Sequence, residues 1–308
     1  MARIFVSGGS GLVGSSILSH EIAQKHEILA PRSSELNLLD QNAVETFIQD
    51  NRPDAIIHAA GIVGGIQANM REPVRFLDEN TALGRNLIMS AYKGGVQCFL
   101  NIASTCIYPR AAKNPLIEEM VLTGELEPTN EGYALAKIMA LRLCQYIHRI
   151  DEEFQYKTLI PCNLYGPNDT FDPEKSHLVP SIIHKLHQAK TAGSGTVEIW
   201  GDGTARREFM YAPDLADAIW RALTDIGNLP DLMNVGLGQD YSINDYYAIA
   251  AEVIGWEGSF THDLSKPVGM KQKLCDTSKL NAWGWSAPTD IRSGIEKTYQ
   301  AYLEKEQA

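Results

Sequence analysis

Ser7-Gly8-Gly9-Ser10-Gly11-Leu12-Val13-Gly14 follows the short apolar run Ile4-Phe5-Val6 and opens onto Leu12, Val13, Ile17, Leu18 and Ile22 at helical spacing. The order is strand, glycine turn, helix. The turn satisfies Gly-x-x-Gly-x-x-Gly from Gly8 and Gly-x-Gly-x-x-Gly from Gly9. Glycine lets the turn be tight and the backbone approach a pyrophosphate, whose charge then rests on the N-terminus of the following helix. In that position Gly8, Gly11, Leu12, Val13 and Gly14 are expected to line a dinucleotide, a merely tight turn being the plainer alternative.

Outward from the turn the same rhythm repeats. Strands are expected at 27–30, 55–58, 97–103 and 157–160, and helices at 43–51, 73–92 and 133–149. Alternation of this kind means a parallel sheet covered by helices on both faces. The expected fold class is therefore α/β, a Rossmann-type doubly wound parallel sheet with a smaller C-terminal α/β substrate lobe. After about Pro167 the rhythm gives way to Gly- and Pro-punctuated segments, with helices near 179–190, 214–223, 243–255 and 291–303. The lobe boundary is placed there: residues 1–166 bind the dinucleotide, 167–308 form the substrate lobe, and 210–236 return to the first lobe.

Composition sets the outer limits. The chain has 308 residues, 44% hydrophobic and 21% charged, as in an ordinary folded protein. Its net charge of −11 opposes general attraction to nucleic acid or anionic lipid, so neither is an expected partner. An anionic ligand would need a local basic pocket. The five cysteines, Cys98, Cys106, Cys144, Cys162 and Cys275, show no Cys-x-x-Cys spacing, which indicates neither a disulfide framework nor a zinc site. Reduced thiols and a cytoplasmic setting are expected. Met1-Ala-Arg-Ile runs straight into a strand pattern without a visible targeting segment, and no apolar run has the length of a membrane span.

The end of the second strand reads Ala30-Pro31-Arg32-Ser33-Ser34. A carboxylate there would bind ribose hydroxyls, whereas Arg accepts a 2′-phosphate. Arg32 therefore favours NADP(H) over NAD(H), with Glu35 nearby as the competing consideration and a solvated surface arginine as the bland one.

Tyr133-Ala-Leu-Ala-Lys137 places a phenol and an ammonium four apart on one helical face. A nearby cation is expected to lower the phenol towards working pH, so that it exchanges a proton with a carbonyl oxygen. A surface pair would look the same in isolation. Ser104, at the end of the preceding strand, offers a hydroxyl for the same oxygen. Glycine turn, Ser104 and Tyr133/Lys137 together resemble the extended short-chain dehydrogenase/reductase family.

The resemblance narrows with Gly64-Gly-Ile-Gln-Ala-Asn69, Ser104-Thr-Cys-Ile-Tyr-Pro109, Leu126-Glu-Pro-Thr-Asn130, Asn163-Leu-Tyr-Gly-Pro167, Ser176-His177 and Trp200-Gly-Asp-Gly-Thr204 with Arg207-Glu-Phe. These occur in order over nearly the whole chain. They are similar to the branch of the family that acts on GDP-4-keto-6-deoxy-D-mannose, epimerising carbons 3 and 5 and reducing carbon 4 to give GDP-L-fucose. The resemblance implies Cys106 and His177 as acid and base on opposite faces of the sugar, and Ser104 and Tyr133 on the ketone oxygen. It further implies Lys137 on the nicotinamide ribose, and Asp40, Ala59, Ala60, Ile102, Pro161, Asn163, Leu164 and His177 along the cofactor. Lys185, Trp200, Arg207 and Lys273 would surround the guanine and pyrophosphate.

Taken alone, Cys106 reads as a small buried residue and His177 as a loop histidine bonded to backbone. Ser104 and Cys106 are two apart, which in an extended segment puts both on one side. The family's pattern is broken at Lys185, where it has Arg, at Val268, where it has Asp, and at Ser10 and Ser33, where it has cofactor-binding Arg. A homodimer is implied, pairing the helices near 83–91 and 133–149, with Ile138, Leu141 and Tyr146 as candidate contact residues, core packing explaining them equally well. Two rivals remain: action on another GDP-4-keto sugar (a 3,6-dideoxy or heptose derivative, or reduction alone), and a catalytically silent dinucleotide-binding regulator. The intact Ser104, Cys106, Tyr133, Lys137 and His177 oppose the second.

Overall fold

Residues 1–172, 176–266 and 270–306 are described by the computed structural model. In β1 (Arg3–Ser7) alternate side chains feed two different cores, which is why the strand is apolar on both faces. Ile4 and Val6 pack with Ile17, Leu215, Ile219 and Trp220 on one side of the sheet. Phe5 packs with Val44, Ile48, Leu87 and Tyr156 on the other.

From β1 the chain passes through α1 (Leu12–Ser19), β2 (Glu27–Leu29), α2 (Gln41–Asn51), β3 (Ala55–His58), α3 (Ile66–Arg71), α4 (Pro73–Lys93), β4 (Cys98–Ile102), α5 (Glu131–Ile150) and β5 (Gln155–Pro161). It continues with β6 (Asn163–Tyr165), α6 (Leu178–Thr191), β7 (Thr196–Trp200), β8 (Arg206–Arg207), β9 (Phe209–Tyr211), α7 (Ala212–Thr224) and β10 (Leu232–Val235). The last elements are β11 (Tyr241–Ser242), α8 (Ile243–Ile254), β12 (Ser259–Asp263), β13 (Gln272–Lys273), α9 (Ser278–Ala282) and α10 (Ile291–Glu306).

The main sheet has the order β10-β5-β4-β3-β1-β2 and is parallel throughout. This is the doubly wound α/β fold expected from the sequence. The winding direction reverses between β1 and β3, and a crevice for a ligand opens at such a point beyond the C-terminal strand ends. The glycine turn lies at its mouth.

A third core, built from Ile182, Ile183, Leu186, Tyr246, Ile254, Ile295 and Tyr302, unites α6, α8 and α10. Beside it, β8 is flanked by β11 and β13, and β7 pairs with β12. Local signals set these helices well. Ser242 and Asp245 form a reciprocal capping box at the start of α8, and Gly255 closes it with a left-handed φ of 69°.

Of the three candidate contact residues on α5, two take the core-packing alternative. Ile138 and Leu141 are buried at 5% and 0% exposure within this chain's own core, and only Tyr146, at 47%, faces outward. The exposed apolar residues on α4 and α5 also include Val74, Leu77 and Leu135. No helix among the described residues is long and apolar enough to cross a membrane.

Candidate active site

The glycine turn is shaped for close approach. Gly8 has φ +78°, and a Cβ on it would lie 2.7 Å from the Ala60 backbone; a Cβ on Gly14 would lie 2.0 Å from the Gly8 oxygen. Gly11 is the N-cap of α1 and brings no side-chain cap, which leaves the first helical N–H groups for an anion. Ala59 and Ala60 follow β3, Ile102 and Pro161 end β4 and β5, and all adjoin the same crevice edge. These residues fit a dinucleotide.

Around this edge several expected cofactor residues already have partners. The Asp40 carboxylate caps α2 by accepting from Asn42 N at 3.0 Å and Ala43 N at 3.1 Å. Asn163 Nδ2 donates to the Glu208 carbonyl at 2.9 Å, and Leu164 packs against the core. Arg32 is exposed and makes no ion pair among the described residues. Glu35 accepts from the Arg32 backbone N at 2.7 Å, so its carboxylate is engaged by the turn and not by the guanidinium.

Tyr133 and Lys137 project from the first turns of α5. Lys137 is 7% exposed and donates through Nζ to the Ile102 carbonyl at 3.0 Å. Its Nζ stands 5.7 Å from the centre of the Tyr133 ring. Burial pushes the ammonium down to about 8. The phenol departs from the sequence expectation: burial, reinforced by Cys106, raises it. The neighbouring ammonium does not outweigh desolvation, since it is buried itself and its hydrogen bond goes to a carbonyl. Tyr133 is thus held as a proton donor.

Ser104 is extended, but Thr105–Ile107 is a 3₁₀ turn, not the extended segment expected. The turn still brings the serine hydroxyl to the Cys106 thiol. Burial raises that thiol, against the opposing pull of Lys273, Ser104 and Lys137. Cys106, Tyr133, Lys137 and Lys273 therefore lie within one electrostatic neighbourhood. His58 is buried and held neutral: burial, then Lys137, brings it down to about 3, with Nδ1 2.8 Å from Ser7 Oγ.

His177 is the N-cap residue of α6, 46% exposed at its side chain, with Nδ1 3.8 Å from Oδ1 of Asp169. The Asp169 carboxylate raises the imidazole above its usual value, outweighing burial. No hydrogen bond or ion pair joins His177 to Cys106 or Tyr133 among the described residues. Asp169 itself carried no signal in the sequence.

The cations sit in two groups. Lys185 Nζ lies 5.2 Å over the Trp200 ring, and Lys266, which sequence reading missed, lies 5.3 Å over it. Trp200, Lys185 and Glu198 line a cavity of about 600 Å³. Burial lowers Lys185. Arg207 and Lys273 are register partners on β8 and β13, and burial lowers both. Val268 lies outside the described residues.

A doubly wound parallel sheet whose glycine turn meets a Tyr/Lys helix is the arrangement of a dinucleotide-dependent enzyme. Residues 4–236 match the NAD dependent epimerase/dehydratase family, and the chain belongs to it. GDP-L-colitose synthase of Yersinia pseudotuberculosis is 50% identical over 301 residues, covering 98% of each chain. GDP-L-fucose synthase of Azorhizobium caulinodans is 47% identical, over 98% of this chain and 96% of that one. Among solved structures, MlghC, a GDP-mannoheptose C4 reductase from Campylobacter jejuni with NADP bound, is 28% identical, covers 98% of each chain and has a TM-score of 0.89.

Proposed function

We propose that this chain is an NADPH-dependent epimerase/reductase that converts GDP-4-keto-6-deoxy-D-mannose to GDP-L-fucose. The observation that carries this reading is the Arg207–Lys273 pair: two half-buried cations in register, without an ion-pair partner among the described residues, the lysine within electrostatic reach of the Cys106 thiol. A diphosphate relieves their repulsion, and the sugar attached to it then reaches the thiol. Trp200 and Lys185 wall the guanine. Arg32 and the relative described with NADP bound support NADPH over NADH.

When bound, NADPH supplies hydride to carbon 4. Ser104 and Tyr133 donate to the ketone oxygen and stabilise the negative charge that develops when a proton leaves carbon 3 or 5. Cys106 and His177 work from opposite faces: one accepts that proton and the other returns one, which inverts the centre. In the reduction Tyr133 gives its phenolic proton to the oxygen on carbon 4, while Lys137 holds the ribose.

Residues 1–166 with 210–236 serve the dinucleotide and 167–308 the GDP-sugar. Two copies associate through α4 and α5, whose exposed Val74, Leu77, Leu135 and Tyr146 supply apolar surface. The five free thiols suit the cytoplasm.

A second reading is favoured by the 50% identity to a protein named GDP-L-colitose synthase: the substrate is then the 3,6-dideoxy GDP-4-keto sugar. Lacking a stereocentre at carbon 3, it would be inverted at carbon 5 alone. Both sugars should be offered with NADPH and the products solved by NMR. The main reading expects L-galacto configuration at carbons 3 and 5 and the higher kcat/KM for the 6-deoxy sugar. Reduction without inversion contradicts it, and a preference for the 3,6-dideoxy sugar supports the alternative.

A further inference from the structure

Asp169 belongs to the loop between β6 and α6, and its burial is unusual for such a place: the residue is 6% exposed. Its Oδ1 accepts from Thr170 N at 2.8 Å, while Oδ2 is buried and has no hydrogen-bond partner among the described residues. Leaving a buried carboxylate oxygen unpaired costs free energy. The loop is fastened both from within and from α10. Asp169 N donates to the Gly166 carbonyl at 3.1 Å, and Lys305 of α10 donates to the carbonyls of Pro167 at 2.9 Å and Asp169 at 3.4 Å.

What the carboxylate faces is His177. As N-cap of α6 the histidine makes no side-chain capping bond, and its ring turns to Asp169, with Nδ1 3.8 Å from Oδ1. We propose that Asp169 is a positioning residue for His177, accepting from its Nδ1–H so that one tautomer and one ring orientation present Nε2 to the sugar. This rests on the acid/base role proposed above for His177. The distance is long for a hydrogen bond, as such contacts often are before substrate binds and tightens them. An acceptor on Nδ1 fixes which ring nitrogen exchanges the proton, and its charge stabilises the imidazolium that forms when Nε2 takes one. His177 facing Asp169, and Lys305 donating to the Asp169 carbonyl, thus tie the C-terminal helix to the site.

The test uses the full chain as wild type, Asp169→Asn, Asp169→Glu, His177→Asn and the double variants Asp169→Asn/His177→Asn and Asp169→Glu/His177→Asn. It reads solvent deuterium entry at carbons 3 and 5 of GDP-4-keto-6-deoxy-D-mannose. Asp169→Asn should slow exchange about 10- to 100-fold through kcat, with KM within about threefold, and Asp169→Glu should recover part of the loss. Added to His177→Asn, it should cost nothing further, because its effect runs through that ring. An equal loss in both backgrounds, or unchanged exchange in Asp169→Asn, overturns the proposal. Should Asp169→Asn not fold, Asp169→Glu carries the same comparison: slower exchange in the wild-type background and no effect beside His177→Asn. Wild type that exchanges nothing overturns the functional reading as well, whereas an exchanging wild type with an indifferent Asp169→Asn overturns the positioning role alone.

Discussion

Arg207 and Lys273 stand opposite each other on adjacent parallel strands; burial lowers both, and at Lys273 the neighbouring guanidinium adds to the fall. Like charges side by side destabilise a strand pair, so the arrangement is one that gains from an anion. Arg207→Ala or Lys273→Ala should raise KM for the GDP-sugar about 10- to 100-fold, the worth of one or two charge-assisted bonds. Thermal stability of the free protein should not fall. Titration with GDP checks this, and unchanged affinity in both variants would remove the pair from the nucleotide site.

Tyr133→Phe deletes only the hydroxyl of a phenol that burial keeps protonated. NADPH oxidation with the keto-sugar should drop at least about 100-fold, the usual worth of a placed proton donor, while NADPH binding stays intact. Stopped-flow absorbance follows both. Full turnover would mean that another group protonates the oxygen at carbon 4.

Cys106→Ser keeps the size and the hydrogen bond to Ser104 but exchanges a thiol for a far weaker acid. Deuterium should cease to enter at carbons 3 and 5 while the circular dichroism spectrum is preserved. Undiminished exchange would take the thiol out of the epimerisation.

Arg32 is exposed beyond β2, free of Glu35 and of any ion pair among the described residues. Arg32→Ala should raise KM for NADPH about tenfold and leave KM for NADH within twofold, since one charge-assisted contact to a 2′-phosphate is lost. Equal effects on both cofactors, or wild type working better with NADH, would place the 2′-phosphate elsewhere.

Lys137 ties activity and stability to pH with opposite signs. Its folded pKa of about 8 lies below the usual lysine value, so reduction should decline as pH rises through about 8 and the ammonium is lost. Between about 8 and 10.5 the unfolded chain binds the proton that the fold does not, so this residue's contribution to stability grows with pH, on the order of 3 kcal/mol in all. Lys137→Met should flatten that rise in a pH series of urea melts. An unchanged slope would show that the amine is not desolvated.

The sequence revealed most where one residue type has one physical use. Gly8 and Gly14 were legible because a Cβ would strike backbone, and β1 because Ile4, Phe5 and Val6 must be apolar on both faces. β8 is two residues long and has no period to read; only pairing with β11 and β13 makes it a strand. That pairing brings Arg207 to Lys273 from far apart in the chain. Ser104 and Cys106 were expected to meet by alternation, yet they meet through a 3₁₀ turn, a geometry that short apolar segments do not announce. Asp169 was invisible because its distinction is burial in a loop, and the contact that loop makes with Lys305 of α10 spans far in the chain.

The most direct measurement follows two isotopes into one product. GDP-4-keto-6-deoxy-D-mannose is turned over once with deuterated NADPH in ordinary water and once with unlabelled NADPH in deuterium oxide. Convergence of the phenol, thiol and imidazole on one ketone predicts cofactor deuterium at carbon 4 alone and solvent deuterium at carbons 3 and 5 of an L-configured sugar. Cofactor deuterium at carbon 4 with no solvent label at either neighbour would contradict it.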